Sequence, residues 1–281
     1  MRSRNDPIMT AMKNETRHRD SRSVALVTGA TGAIGLAIAT RIASRPDHEV
    51  VLLCRNAAKA RAAVADIRQR TGNTRVRSEI VDLARRDSVA ALAARWEGPV
   101  HVLVNNAATT PRRREETPEG IELQFATNVL GYVRMINGFK DRLAESAPAR
   151  IVNVASYWAG GLALNDLESE RRRYDNDAAY RQSKQADRML TVAFAERLAD
   201  RRVTVNACHP GDVVSTLSRN LGFGGHETPD QAAGTPAWIA TEAIEANVTG
   251  KYFEHQRAVS CRFGADRDAV EALYRVCEGY G

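Results

Sequence analysis

Short apolar runs rich in valine and isoleucine constrain the fold of this chain more than any other feature. Helix-length segments such as Ala57–Arg70 and Arg181–Ala199 alternate with these runs, which are Val24–Val27, Val50–Leu53, Val100–Val104, Ile151–Val154 and Val203–Ala207. Unbroken apolar strands are buried on both faces, which is typical of parallel sheets. The alternation predicts an α/β fold, a single doubly wound parallel sheet with helices on both faces.

Composition and cysteine usage argue against several other classes of protein. The 281 residues, 43% of them apolar, suit one large domain, which we place at residues 23–281. No apolar run reaches the roughly 18 residues of a membrane span. The four cysteines form no CxxC pair, which argues against zinc and disulfides and predicts no metal site. A reducing, cytoplasmic location is the resulting expectation.

The first 22 residues have the composition of a basic leader. They hold six Lys or Arg against three Asp or Glu, half of the net charge of +6, and they contain no apolar core of a signal peptide. We predict that residues 1–22 are disordered. An arm that binds nucleic acid is the alternative, but a protein without a nucleic-acid partner is the preferred interpretation.

A glycine-containing turn follows the first apolar run, in the stretch VALVTGATGAIGLAIA. The N-terminus of a helix offers unpaired N–H groups and a partial positive charge, and therefore suits phosphate. Gly29 would allow the tight turn, Gly32 would leave room for a pyrophosphate, and Gly35 would let helix and strand approach closely. A turn that serves only close approach of helix and strand is the alternative.

Polar and small residues follow the predicted strands at the edge where such sheets bind ligands. Arg55 follows the second strand, and Asp82 follows a third strand that we place at Ile80–Val81. Ser156 and His209 come after the fifth and sixth strands. We expect these residues to border one cofactor site, with His209 as a residue of packing and hydrogen bonding rather than a metal ligand.

Six motifs in a fixed order resemble the short-chain dehydrogenase/reductase family: TGATGAIG, LVNNAA, ATNVLG, IVNVAS, YRQSK and HPGDVVST. The resemblance implies a Rossmann fold and a nicotinamide dinucleotide. Thr28–Gly35 fits the extended-branch pattern TGxxGxxG, and Ala33 replaces the middle glycine of the classical TGxxxGxG. The NNA and HPG stretches and the chain length favour the classical branch. An extended, sugar-nucleotide-modifying member remains the alternative.

The second strand indicates which dinucleotide is bound. Arg55 follows VVLLC with no acid nearby, and Lys59 lies four residues on. A guanidinium can grip the extra phosphate of NADPH with two parallel hydrogen bonds, whereas NAD needs an acid at this place. The stretch CRN resembles NADP-preferring, retinol-dehydrogenase-like members. A solvated arginine at a strand end is the alternative.

The resemblance implies a full set of NADPH contacts. They are Gly29, Thr31, Gly32, Ala33, Ile34, Gly35, Arg55, Asn56, Asp82, Leu83, Asn105, Ala107, Tyr180, Lys184, Pro210, Gly211, Val213 and Ser215, with a one-residue slip to Thr216 left open.

Tyr180 and Lys184 are four residues apart, which places both on one face of a helix. A free tyrosine has a pKa of about 10, and a neighbouring ammonium favours its phenolate. By resemblance, Tyr180 is the general acid, and Ser156 bonds the substrate oxygen. The resemblance also implies that Lys184 holds the nicotinamide ribose and lowers the tyrosine pKa, and that Asn128 supports a water in a proton relay.

Two segments are predicted to border the substrate. Tyr180 follows Ser156 by 24 positions, a spacing that resembles that of retinol-dehydrogenase-like members. The loop between them is expected to border the substrate, and its candidate pocket residues are Trp158, Leu162, Leu164 and Tyr174. Simple loop packing is the alternative role for these four residues. Residues 215–236 contain four glycines and are predicted to form a lid, with Leu217, Leu221 and Phe223 on its inner face.

These features together predict an NADPH-dependent oxidoreductase that interconverts a ketone or aldehyde and an alcohol. A non-enzymatic, NADP-sensing protein is the alternative from another class. Arg112–Arg114 raises the hypothesis of an acidic substrate. The resemblance also implies a homodimer or homotetramer that pairs through the helices holding Asn128 and Tyr180.

Overall fold

Eight strands form one sheet in the order β3–β2–β1–β4–β5–β6–β7–β8. The structure, a computed structural model, describes residues 22–242 and 248–280. The predicted leader lies outside these residues, apart from Arg22. The strands are β1 (Ser23–Thr28), β2 (His48–Cys54), β3 (Val76–Ile80), β4 (Val102–Asn105), β5 (Ala149–Val154), β6 (Val203–Cys208), β7 (Tyr252–Glu254) and β8 (Arg257–Val259).

Helices connect the parallel strands, as the alternation of apolar runs predicts. They are α1 (Ala33–Ala43), α2 (Ala57–Thr71), α3 (Arg86–Arg95), α4 (Gly131–Glu145), α5 (Asn176–Arg197), α6 (Thr216–Asn220), α7 (Pro229–Ala232), α8 (Gly234–Thr241) and α9 (Arg267–Gly279). A π-helix, Phe125–Leu130, leads directly into α4.

Two apolar cores lie on opposite faces of the sheet. One contains residues of α3, α4, α5 and α9, among them Leu92, Phe139 and Phe194. The other contains residues of α1, α2 and α8, such as Ile38 and Ile67. Alternate residues of β1 and β2 contribute to each core. The predicted doubly wound α/β sheet is therefore confirmed.

The two ends of the sheet differ from the prediction. The third strand is Val76–Ile80, not Ile80–Val81, because an edge strand tolerates the three consecutive polar residues of VRSEI. At the other edge β8 runs antiparallel to β7, so the sheet is not wholly parallel. His255 and Gln256 have positive φ angles of 48° and 61° and form the two-residue turn that reverses the chain.

Helix α5 begins earlier than its apolar pattern predicts. Asp175 caps it by accepting a 2.9 Å hydrogen bond from the Ala178 N–H, so Tyr180 lies in the second turn rather than before the helix. Helix α9 crosses α5, where the Phe194 and Tyr274 rings meet edge to face. It therefore covers part of the helix that the resemblance implicates in subunit pairing.

Among the described residues, no helix is both long enough and apolar enough to cross a membrane. The four cysteines are free. Within residues 22–242 and 248–280, no group of three His, Cys, Asp or Glu side chains is arranged to hold a metal ion.

Candidate active site

A cleft of about 440 Å³ lies at the carboxyl ends of the strands, beside β1 and β4, where the strand order reverses. Ligands of doubly wound sheets bind at this switch point. Three parts of the chain line the cleft: the glycine turn, the ends of β4 and β5 with Tyr180, and residues 209–219 with Phe223.

The Thr28 side chain ties the glycine turn to the end of β4. Its Oγ1 accepts hydrogen bonds from the N–H groups of Asn106 (2.8 Å) and Ala107 (3.0 Å). The Asn106 Nδ2 donates in return to the Thr28 carbonyl at 2.9 Å. Thr28 and Asn106 were not predicted as functional residues, although both belong to the quoted motifs.

The three glycines of the turn differ in how much space surrounds them. Gly29 has φ +64°, and a Cβ there would lie 2.8 Å from the Ala107 Cα. A Cβ on Gly35 would collide with the Gly29 carbonyl oxygen and lie 2.6 Å from Asn106 Nδ2. A Cβ on Gly32 would meet only the Gly29 oxygen, at 3.4 Å. The protein itself therefore requires Gly29 and Gly35, while Gly32 faces the cleft.

The N-terminus of α1 is arranged to hold a phosphate. Gly32 caps the helix without a side-chain hydrogen bond, and the first turn contains no acidic residue. Thr31, Gly32, Ala33, Ile34 and Gly35 all line the cleft. The open N–H groups and the close approach that glycine permits fit the pyrophosphate of a dinucleotide.

Alanine substitutions should separate the two roles of these glycines. Gly35→Ala is expected to lower the melting temperature by several degrees, because overpacking costs about 1–3 kcal/mol. Gly32→Ala is expected to keep the melting temperature but to weaken NADPH binding, because its methyl group points to the cleft. Thermal unfolding and fluorescence titration measure the two effects. Equal NADPH affinity in Gly32→Ala and the unaltered protein would contradict the assignment of the turn.

The end of β2 presents an exposed cation. Among the described residues Arg55 has no hydrogen bond or ion pair, so its guanidinium is available to a ligand. Asn56, also a predicted contact, caps α2 by accepting a 2.9 Å bond from the Lys59 N–H. Lys59 is exposed in the first turn of the same helix.

The predicted contacts at the ends of β3 and β4 divide into exposed and buried groups. Asp82 is partly exposed and accepts a 3.1 Å hydrogen bond from the Ala84 N–H, while Leu83 is buried. The fully buried Asn105 donates to Asn153 Oδ1 at 2.9 Å, and its side chain does not line the cleft. Its neighbour Asn106, the first residue after β4, does line the cleft.

Ser156 and Tyr180 both line the cleft, and the two side chains lie close enough for Ser156 to influence the tyrosine. Only 5% of Ser156 and 8% of Tyr180 is exposed. Burial raises the pKa of Tyr180 above its ordinary value, while the neighbouring Ser156 hydroxyl acts to lower it. A buried tyrosine that stays protonated can donate a proton to an oxygen bound beside Ser156.

The Lys184 ammonium lies beside Tyr180 and bonds two other acceptors. Its Nζ donates to the Val154 carbonyl and to Asp187 Oδ2, both at 2.9 Å, and lies 5.9 Å from the centre of the Tyr180 ring. Burial is the largest influence on the Tyr180 pKa and raises it, and the Asp187 charge acts in the same direction. The lowering of this pKa by Lys184 stays a prediction for the complex with the cofactor.

Asn128 lies inside the π-helix and links two parts of the site. Its Oδ1 accepts from the Thr109 N–H at 2.8 Å, and its Nδ2 donates to the Thr109 carbonyl and to Ser183 Oγ. π-Helical turns occur often at functional sites because they widen the helix. Here the fully buried Asn128 side chain links Thr109, in the loop after β4, to Ser183 on α5 through hydrogen bonds.

Residues 209–216 form one wall of the cleft. Pro210, Gly211, Val213, Ser215 and Thr216 all line it. Gly211 has φ +131°, and Glu227 accepts a 2.5 Å hydrogen bond from the Asp212 N–H. Ser215 caps α6 through its hydroxyl, so the chain turns away at the predicted start of the lid.

His209 begins this wall and lines the cleft. Its ring packs as predicted, but its Nδ1 is buried without a hydrogen-bond partner among the described residues, so the predicted hydrogen bonding is not found at that atom. The His209 ring meets Tyr157 edge to face, with 4.5 Å between the ring centres. Burial lowers the pKa of His209.

The predicted pocket residues of the long loop contribute unequally. Trp158 lines the cleft and contacts the Phe223 ring, with 4.4 Å between the ring centres. Leu217 also lines the cleft, but Leu162, Leu164, Tyr174 and Leu221 do not. The Tyr174 hydroxyl instead accepts from Gln124 and donates to Glu122, which supports loop packing as its role.

Arg112–Arg114 also lies outside the cleft lining. Arg114 pairs with Glu116. The hypothesis of an acidic substrate therefore has no support from this segment.

The sequence and the fold together identify the family. Residues 23–222 match the family described as short chain dehydrogenase, and the chain belongs to this family of oxidoreductases, in its classical branch. It is 38% identical to mouse (Mus musculus) retinol dehydrogenase 13 over 252 residues, which cover 83% of this chain and 75% of the relative. The chain is thus a dehydrogenase/reductase similar to retinol dehydrogenases.

Solved structures share the same fold. An uncharacterised protein from Mycobacterium paratuberculosis superposes with a TM-score of 0.78 at 26% identity, over 92% of this chain and 93% of that one. A variant of actinorhodin polyketide ketoreductase with NADPH superposes with a TM-score of 0.64, also at 26% identity, over 83% of this chain and 95% of that one.

Proposed function

We propose that the protein is an NADPH-dependent reductase of ketones or aldehydes that also catalyses the reverse oxidation of alcohols. The observation that carries the proposal is that Ser156 and Tyr180, two neighbouring and nearly buried hydroxyl groups, line the same cleft as the glycine turn. A pair of hydroxyl groups beside a dinucleotide site suits proton transfer to a carbonyl oxygen that becomes an alcohol.

Each residue of the pair has a distinct role. The Ser156 hydroxyl bonds the carbonyl oxygen and orients it toward Tyr180, which donates the proton. Burial suits the acid role because Tyr180 remains protonated at neutral pH. The bound cofactor would supply the hydride. Lys184 has three donor hydrogens, of which Val154 and Asp187 take two, so one remains for a ribose hydroxyl.

The preference for NADPH rests on Arg55. Its exposed guanidinium stands at the carboxyl end of β2, the strand end that meets the adenosine ribose in this class of fold. NADPH bound to the ketoreductase and NADP present in other structural neighbours support the same cofactor here.

The substrate is proposed to be apolar near its carbonyl group. The cleft that holds Ser156 and Tyr180 is also lined by the apolar side chains of Trp158, Leu217 and Phe223. Among the described residues that line the cleft, the one arginine or lysine is Arg219. Burial of an apolar ligand against such side chains contributes roughly 25 cal/mol per Å². A panel of apolar ketones and aldehydes, followed by NADPH absorbance, tests the function. A panel with no turnover by the folded, NADPH-binding protein would contradict it.

Residues 215–236 are proposed to close over the substrate as a lid. The segment holds the two short helices α6 and α7 and the first residues of α8, and Phe223, which lies between α6 and α7, contacts the Trp158 ring. Gly222 has φ +77°, where glycine adopts the backbone at low cost. A contact between two rings is easily broken and remade, so a substrate can enter before the segment closes.

Limited proteolysis should detect this closure. We expect the first internal cleavage of the apo protein within residues 215–236, and we expect NADPH plus a ketone substrate to slow it at least severalfold. Phe223→Ala, which removes the ring contact, should lose much of the protection. Cleavage at equal rates with and without ligands would remove the lid from the mechanism.

A further inference from the structure

A buried carboxylate faces the Lys184 ammonium one turn further along α5. Asp187 Oδ2 lies 2.9 Å from Lys184 Nζ, and the two side chains are 0% and 2% exposed. The other oxygen, Asp187 Oδ1, is buried without a hydrogen-bond partner in the described part of the chain. Neither the sequence motifs nor the proposed proton transfer uses this carboxylate.

The position of Asp187 is set by a chain of buried hydrogen bonds. The Asp187 carbonyl accepts from Thr191 Oγ1 at 2.7 Å, and Thr191 Oγ1 accepts from Asn153 Nδ2 at 2.9 Å. Asn153 in turn accepts from Asn105 on β4. This part of the α5 backbone is therefore attached to the middle of the sheet, which fixes the point from which the Asp187 side chain reaches Lys184.

The titratable groups around Asp187 come from four elements. Lys184 and Tyr180 face it from α5, Tyr132 from α4 and Cys277 from α9, while Cys208 on β6 lies near Lys184. Lys184 is the cation of this group. Burial raises the pKa of Asp187 to about 7, against the effect of Lys184, so the carboxylate is charged at the alkaline pH where a tyrosine titrates.

Taken together with the proposed function, on which this inference rests, the geometry points to Asp187 as a positioning residue of the active site. We propose that Asp187 holds the Lys184 ammonium against the Val154 carbonyl and offsets its charge, so that Tyr180 stays a proton donor. An ammonium paired with a carboxylate stabilises a nearby phenolate less than a free ammonium does. Alcohol oxidation, which needs the phenolate as base, would then require alkaline solution.

Neutral substitutions at Asp187 test this role through the pH profile. In Asp187→Asn the unpaired positive charge should favour the phenolate, so the apparent pKa of kcat/KM for alcohol oxidation should fall by about one unit. Asp187→Ser, neutral and smaller, should shift it in the same direction and serves if the amide variant does not fold. Asp187→Glu keeps the charge and should keep the alkaline profile even if the rate falls.

A matched control separates this effect from a general loss of charge. Asp177 is an exposed carboxylate nearly three turns earlier, in the first turn of α5. Asp177→Asn removes the same charge from the same helix at a solvated site. Asp177 also raises the Tyr180 pKa, but less than Asp187 does, so we expect a clearly smaller shift of the profile. An equal shift in Asp177→Asn and Asp187→Asn would contradict a specific role for Asp187.

A second measurement does not depend on turnover. The ultraviolet absorbance of the Tyr180 phenolate in the NADP⁺ complex, with a Tyr180→Phe sample subtracted, follows the same ionisation. Failure of the proposed function would show as no turnover in the unaltered protein, while this titration would still report on Asp187. A lower rate of Asp187→Asn at every pH, with the Tyr180 titration unmoved in both measurements, would overturn the inference and leave Asp187 a structural residue.

Discussion

Tyr180→Phe is expected to reduce kcat for carbonyl reduction by about 100- to 10,000-fold, the range that a general acid contributes. The substitution removes one hydroxyl from a residue that is 8% exposed and lines the cleft beside Ser156. The phenyl ring keeps nearly the same volume, so the fold and the affinity for NADPH should be retained. Initial rates at saturating NADPH measure the loss, and fluorescence titration measures the retained binding.

Tyr132→Phe is the matched control for this prediction. Tyr132 is another buried tyrosine, and the centre of its ring lies 5.1 Å from Lys184 Nζ. The Tyr132 hydroxyl donates to the Val154 carbonyl, and Tyr132 does not line the cleft. We expect turnover within a few fold of the unaltered protein. If Tyr180→Phe kept a tenth or more of the rate, another group would be the proton donor and the assigned role would be wrong.

Arg55→Ala is expected to weaken NADPH binding by roughly 10- to 150-fold and to spare NADH. This range corresponds to one charge-assisted hydrogen bond of about 1.5–3 kcal/mol. Arg55 is exposed and has no partner among the described residues, so its loss should not disturb the protein itself. The dissociation constants of both cofactors, measured at one fixed salt concentration, give the change in preference.

Arg61→Ala supplies the control for long-range charge. Arg61 is also exposed and lies in α2, directly after the Arg55 turn, so its removal changes the net charge equally. We expect its effect on NADPH binding to be small, because solvent and salt screen charges that do not touch the phosphate. Equal affinities of the unaltered protein for NADPH and NADH would refute the proposed role of Arg55.

Several features of the site follow from local sequence because their causes are local. The spacing of Gly29, Gly32 and Gly35 determines a turn into a helix whose N–H groups stay open, and the spacing of Tyr180 and Lys184 places them one helical turn apart. Runs that are mostly apolar predict central parallel strands, since a strand with helices on both faces has little contact with water, and its few polar residues, such as Asn105 and Asn153, are buried and hydrogen-bonded. The edge strand β3 was misplaced for the same reason, because its polar residues conceal it.

Contacts between distant segments were decided only by the tertiary structure. The motif places Lys184 near Tyr180, but only the structure shows that burial is the largest influence on the Tyr180 pKa and that Asp187 lies within hydrogen-bond distance of the ammonium. The spacing of three residues on α5 could have suggested the pair, but no sequence pattern shows that both side chains are removed from water. Burial decides whether such a pair is screened or strongly coupled.

The long loop gives the same lesson at the mouth of the cleft. Trp158, Leu162, Leu164 and Tyr174 are equal candidates in sequence, but only Trp158 of the four lines the described cleft. Its partner Phe223 is 65 residues away along the chain, in the predicted lid. Local sequence therefore determined the turn, the central strands and the catalytic spacing. Burial and long-range contact, which depend on how all the elements assemble, determined which side chains meet and how strongly their charges interact.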